Sequence, residues 1–181
     1  PGEQRSCISI TGLPGHNIER ITLSDIHITF PGGGTAEEAA RRDIPDLRNT
    51  YPEYFMFGIL PAYGLYAHHV KGLTLKNVRF DLASRDLRPA LVCDDVEDME
   101  LSACKFECDP SSESLIRLQN TRDAFIQGCR GIGRTRTFLR LEGESSRDVA
   151  LTGNDLRCVQ QVVEVAEGAS RSSMTCRGNT E

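Results

Sequence analysis

Three short stretches of this 181-residue chain carry residue types and spacings that do chemistry. The first is "CDDVED" at 93–98, whose adjacent Asp94 and Asp95 form a carboxylate pair of the kind that divides general acid and general base roles across one bond. The second is "YAHHVKG" at 66–72, with His68 and His69 side by side. Neighbouring residues of a strand point to opposite faces, so alternation predicts that only one imidazole faces outward with Tyr66 and that the pair shares no metal. The third is an aromatic stretch from 51 to 66, which holds all four tyrosines, Tyr51, Tyr54, Tyr63 and Tyr66, together with Phe55 and Phe57. Such rings either give a long loop a small core of its own or line a groove and stack on a ligand.

Each group depends on the element that positions it, and the elements repeat. "VKGLTLKNVRF" at 70–80 recurs as "VEDMELSACKF" at 96–106, and Leu73 has equivalents in Met99, Ala124, Val149 and Met174. The intervals are 26, 25, 25 and 25 residues, a regularity that marks a repeat architecture. A second apolar stretch precedes each unit ("PALVCDD", "SLIRLQN", "TFLRLEG", "QVVEVAEG"), alternating apolar with polar residues and ending in Gly, Asn or Asp. Short strands punctuated by turns read this way. Strands recurring every 25 residues without helices bury their apolar side by coiling. The expected fold is therefore all-β, a right-handed parallel β-helix of about 25 residues per coil, with equivalent residues stacked about 4.8 Å apart.

In that frame Cys104 and Cys129, one period apart, are neighbours in an interior column. The seven cysteines are odd in number and form no Cys-x-x-Cys pair, so buried thiols are expected rather than zinc ligands or a disulfide framework. Asp94 and Asp95 stand where other repeats have "QNT" or "EGES", which predicts turn residues rather than catalytic acids. Upstream, "IERITLSDIHITF" repeats the unit, with Ile21 two periods before Leu73. Residues 31–60 between them read as an insertion. "PGGG" leaves the strand, and "TAEE" at 35–38 has the spacing of a helix capping box, predicting a short helix through "AEEAARR". The remainder is aromatic loop. Its Arg41, Arg42 and Arg48, beside an outward histidine, would suit an anionic sugar.

The net charge of −5 and the absence of a basic face argue against nucleic acid as a partner. No apolar run is long enough to span a membrane. Nothing in the sequence calls for a cofactor or a metal. The chain reads as one β-helical domain over 1–181, and "PGEQRSCISITG" enters a strand at once, so an uncapped end is expected to favour self-association.

With repeat and insertion in place, the chain resembles the C-terminal part of glycoside hydrolase family 28, the polygalacturonase-like β-helices. The residues that carry the resemblance are "ITGLPGHNIERITLSDIHITFPGGGTAEEA", "YPEYFMFGILPAYGLYAHHVKGLTLKNVRFD" and "RPALVCDDVEDMEL", roughly residues 8–101. It implies a secreted or periplasmic protein acting on pectic or related uronide polysaccharide by inverting hydrolysis. The family's signature runs Asn-Thr-Asp, Asp-Asp, Gly-His-Gly, Arg-x-Lys. Here "GHN" at 15–17 precedes Asp94 and Asp95, "NTE" comes last, and Arg-x-Lys does not occur, so no catalytic residue carries over. The expectation is the C-terminal segment of such a hydrolase, not competent alone, in which Tyr63, Tyr66, His68, His69 and Arg48 contact oligosaccharide. The competing expectation is a non-catalytic β-helix module that binds polysaccharide or scaffolds an assembly.

Overall fold

The computed structural model describes residues 5–51, 53 and 55–180; Tyr54 of the aromatic stretch lies outside them. Among the described residues the strands are β1 (Ile8–Thr11), β2 (Ile18–Ser24), β3 (His27–Phe30), β4 (Leu65–Lys76), β5 (Arg79–Leu82), β6 (Leu91–Ser102), β7 (Lys105–Glu107), β8 (Ile116–Gln119), β9 (Arg122–Gln127), β10 (Arg130–Ile132), β11 (Thr135–Glu142), β12 (Arg147–Thr152), β13 (Val159–Ala166) and β14 (Met174–Arg177), with a short α-helix, α1 (Ala36–Ala39), and a 3-10 turn at Arg171–Ser173. Every pairing between these strands is parallel, and together they form a β-solenoid of about 5 turns with about 25 residues per turn. Leu73 pairs with Met99, Met99 with Ala124, Ala124 with Val149 and Val149 with Met174, while Ile21 pairs with Leu73. The repeat read in the sequence is thus the register of the sheet.

The columns explain the core. Leu65, Leu91, Ile116, Leu139 and Val163 stack along one wall, and the column through Leu73 lines the next. Nearly all are buried, so each coil contributes apolar surface that its neighbours cover. On the third wall Phe80 stacks on Phe106 with ring centres 5.1 Å apart. Cys104 and Cys129 are stacked as expected, the Cys104 N–H lying 3.4 Å from the Cys129 sulfur. Asn154 and Asn179 continue the column, each donating its amide to a strand carbonyl (Ile126 and Leu151) while its side-chain oxygen accepts a backbone N–H from the preceding coil. All seven thiols are free, but Cys158 and Cys176 are exposed and Cys7 is only half-buried, which corrects the expectation of buried thiols at those three positions.

Three columns of left-handed residues turn each coil. His69, Asp95, Asn120, Gly143 and Glu167 form one; Arg20, Gly72, Asp98, Asp123 and Asp148 a second; Asp25, Asn77, Ala103, Gly128, Gly153 and Gly178 a third. Positive φ is strained for most residues and favours Gly, Asn and Asp, which supply most of these positions. β4 and β6 run through two such corners without interruption, so residues expected to be separate strands and turns form single bent strands.

The insertion between Phe30 and Leu65 lies against the outer face of the first wall. The capping box is formed, with Glu38 N–H donating to Thr35 and Thr35 N–H to the Glu38 carboxylate. The helix stops at Ala39, shorter than expected: Ala40 is its C-cap, and the side chains of the two arginines that follow are held by groups elsewhere in the molecule. Arg41 donates to the Ile59 carbonyl and Arg42 to Glu142 and Glu113. A buried ion pair fixes both ends of the insertion: Asp86 accepts from Gly34 N–H at 2.9 Å, and Arg88 donates to the Leu60 and Ala62 carbonyls. Gly34 is required there, since a Cβ would lie 2.2 Å from Arg88 Nε.

Candidate functional site

Along β4 the side chains alternate as a strand demands: Leu65 and Ala67 point into the core, Tyr66 and His68 outward. The next residue, His69, has φ +52° and occupies the corner. A left-handed residue breaks the alternation, so His69 also reaches the outer face. The two rings lie 3.8 Å apart, centre to centre, and strand alternation alone therefore gave the wrong answer for this pair.

Around them the solenoid register brings the carboxylates of the next coil. His68 pairs across the sheet with Asp94, and Asp95 holds the corner place equivalent to His69. His68 Nδ1 is 3.1 Å from the Asp94 carboxylate and 3.2 Å from the Asp94 carbonyl, and His69 Nδ1 is 2.7 Å from the Asp95 carboxylate. From the insertion, Asp46 Oδ1 stands 3.4 Å from His68 Nε2 and 3.2 Å from His69 Nε2. The left-handed conformation of Asp95 agrees with the reading of this pair as turn residues, yet both acids are also imidazole partners, which that reading missed. A signal was present in the sequence: His69 is equivalent to Asp95, Asn120 and Gly143, residue types that mark a corner.

Burial by itself disfavours a charged His68, but the Asp94 carboxylate and carbonyl, with Asp46 beyond, outweigh it and raise the His68 pKa. Asp95 is also approached by Arg122 at 3.6 Å. The five side chains border a hollow of about 400 Å3 between insertion and sheet, and a second of about 270 Å3 shares Pro45, Asp46 and His68 with it. Arg42 forms its rim, held to Glu142 at 2.7 Å and to Glu113 at 2.9 Å. Arg117, buried beneath, donates to the Ala39 and Arg41 carbonyls and ties the insertion down.

The other expected contact residues are placed differently. Tyr63 lies inside the core, edge-on to Phe30, with its hydroxyl donating to the Glu107 carbonyl. Tyr66 faces outward from the solenoid but is covered by Ile44, Leu60 and Ala62 of the insertion. Both rings are about 1% exposed, so Tyr63 packs the solenoid core and Tyr66 packs the insertion, and neither presents a face to a ligand. Arg48 is exposed and does not line the imidazole pair's hollow. Among the described residues, Tyr51 and Phe55 are the aromatic residues of the insertion that are exposed.

Comparison with protein-family models, with curated proteins and with solved structures returned no match to this chain.

Proposed function

We propose that the chain is the β-helical segment of a polygalacturonase-like carbohydrate-active protein, that it contacts pectic or related oligosaccharide in the groove beneath the insertion, and that it does not hydrolyse the sugar by itself. The observation that carries this reading is the groove: two neighbouring hollows that share Pro45, Asp46 and His68, the larger bordered by Arg42, His68, Gln119 and Asn120 and by four aspartates, which together offer hydroxyl groups both donors and acceptors. The absence of catalytic competence is supported by Asp94 and Asp95, since each is engaged by an imidazole and neither stands free across a cleft from the other. The same observation favours, as a second reading, a module whose whole role is binding or scaffolding.

Calorimetric titration of the chain with oligogalacturonides and with neutral pectic oligosaccharides tests the proposal. Saturable binding, lost in Gln119→Trp where the indole fills the groove, together with no release of reducing ends, is the expected result. Release of reducing ends, or binding that survives Gln119→Trp, overturns it.

A further inference from the structure

We infer that Asp46, His68 and His69 form a binding site for a divalent transition metal of the zinc type, with Asp94 and Asp95 as the outer carboxylates that orient the two imidazoles. The inference is independent of the sugar.

The first support is the matching of donors to acceptors. Both partners of His68 Nδ1, the Asp94 carboxylate and carbonyl, are acceptors, and so is the Asp95 carboxylate at His69 Nδ1. Each Nδ1 must therefore carry its hydrogen. In a neutral imidazole the other nitrogen then presents a lone pair. Both Nε2 atoms face Asp46 Oδ1, which is again an acceptor. Two nitrogen lone pairs and an anionic oxygen directed at one another need a cation between them. A metal ion satisfies all three atoms at once; protonated imidazoles beside the three carboxylates are the competing way to satisfy them, and titration with metal separates the two.

The second support is distance. Ligand atoms about 2.0–2.1 Å from a tetrahedral zinc stand about 3.3 Å from one another. The two nitrogen-to-oxygen separations are 3.4 and 3.2 Å, and the three ligand atoms all fall within 4.8 Å. Closing on a metal requires the two rings, 3.8 Å apart centre to centre, to move apart, and Asp46 sits on a loop outside the named strands and the helix.

The third is the outer shell. Metal-bound histidine commonly donates its second N–H to a carboxylate or carbonyl, which fixes ring and tautomer. Both histidines have that partner. Two imidazoles with one carboxylate select zinc-like metals over calcium or magnesium, which prefer oxygen ligands throughout. Three protein ligands leave a further coordination position for water or an oxygen of a molecule in the groove.

The test is titration of the chelator-treated chain with Zn2+ by calorimetry and with Co2+ by absorption, in a Cys158→Ser/Cys176→Ser background that removes the two exposed thiols. One equivalent is expected to bind, with a Co2+ spectrum free of thiolate charge transfer. His69→Asn, which tolerates the left-handed corner, should abolish binding. Asp46→Asn, at an exposed loop position, should weaken it severely without affecting the fold. Asp95→Asn should weaken it by roughly 10–100-fold, the usual effect of losing an outer-shell carboxylate. Absence of stoichiometric binding, or binding unchanged in both His69→Asn and Asp46→Asn, overturns the assignment.

Discussion

Arg88 and Asp86 form an ion pair inside the molecule, Nη2 to Oδ2 2.7 Å, at 2% and 0% exposure. The pair is more than two charges. Asp86 also accepts the backbone N–H groups of Gly34 and Arg88, and Arg88 donates to the carbonyls of Arg5, Leu60 and Ala62. It ties the two ends of the insertion to the wall, so the groove depends on it.

Replacing Arg88 by Met leaves a buried carboxylate without its cation, a change that costs about 3–5 kcal/mol. Arg88→Lys should recover little, because an ammonium lacks the planar fork that reaches carboxylate and carbonyls together. Urea unfolding at neutral pH measures both. A loss under about 1 kcal/mol for Arg88→Met would show that the pair is dispensable.

The asparagine column makes a separate prediction. Asn154 is fully buried; its oxygen accepts the Cys129 N–H at 2.9 Å and its amide donates to Ile126 and Asn179. Asn154→Ala orphans a buried donor and acceptor, each worth about 1–3 kcal/mol. The same unfolding measurement should show a loss within or above that range, and no change would mean that the ladder is ornamental to stability.

The solenoid was legible because one-period spacing is also sheet register, so equivalence in sequence became contact in space. Leu73, Met99 and Ala124 needed no further information. The capping box at Thr35 was legible for the same reason, being local. The site was not. Its His69 was assigned by the rule for a straight strand, whereas the corner conformation is fixed by the stacking of coils, and Asp46 arrives from an insertion whose path follows from Arg88, Arg117 and Arg42 contacts far apart in sequence. Tyr66 is covered because the insertion packs its own small core on it, and Tyr63 because it belongs to the solenoid core beside Phe30.

Glu142 supplies a pH dependence. Burial pushes its pKa up, but hydrogen bonds from Arg42 and Arg140 outweigh that and hold the carboxyl below the ordinary glutamate range. A carboxyl with a lowered folded-state pKa stabilises the protein fully above its unfolded value, about 4.3, and loses that contribution as pH falls through the folded value. Wild type should therefore exceed Glu142→Gln in stability by most at neutral pH, and the difference should narrow as pH falls below about 4. Unfolding curves for both proteins at pH values on either side of that point check the sign; a difference that stays constant or widens in acid contradicts it.

The cysteines should separate by reactivity. Thiolate is the reacting species, so a thiol whose pKa is raised by burial is protected twice, by access and by protonation. Burial pushes Cys7 and Cys108 up to about 12 and Cys93 higher still, while Cys129 is raised chiefly by its contact with Cys104, with burial adding to it. Cys104 is lowered by that same contact but is buried beneath the wall. Cys158 and Cys176 stand in solvent. Iodoacetamide applied to the native chain near pH 8 should therefore modify Cys158 and Cys176 first, the half-buried Cys7 slowly because its pKa is raised, and the four buried thiols only when the solenoid is opened by denaturant. Peptide mass mapping over time distinguishes the groups. Early labelling of Cys104 or Cys129 would mean that the coils part locally around that column, since neither sulfur can be reached while the third wall is intact.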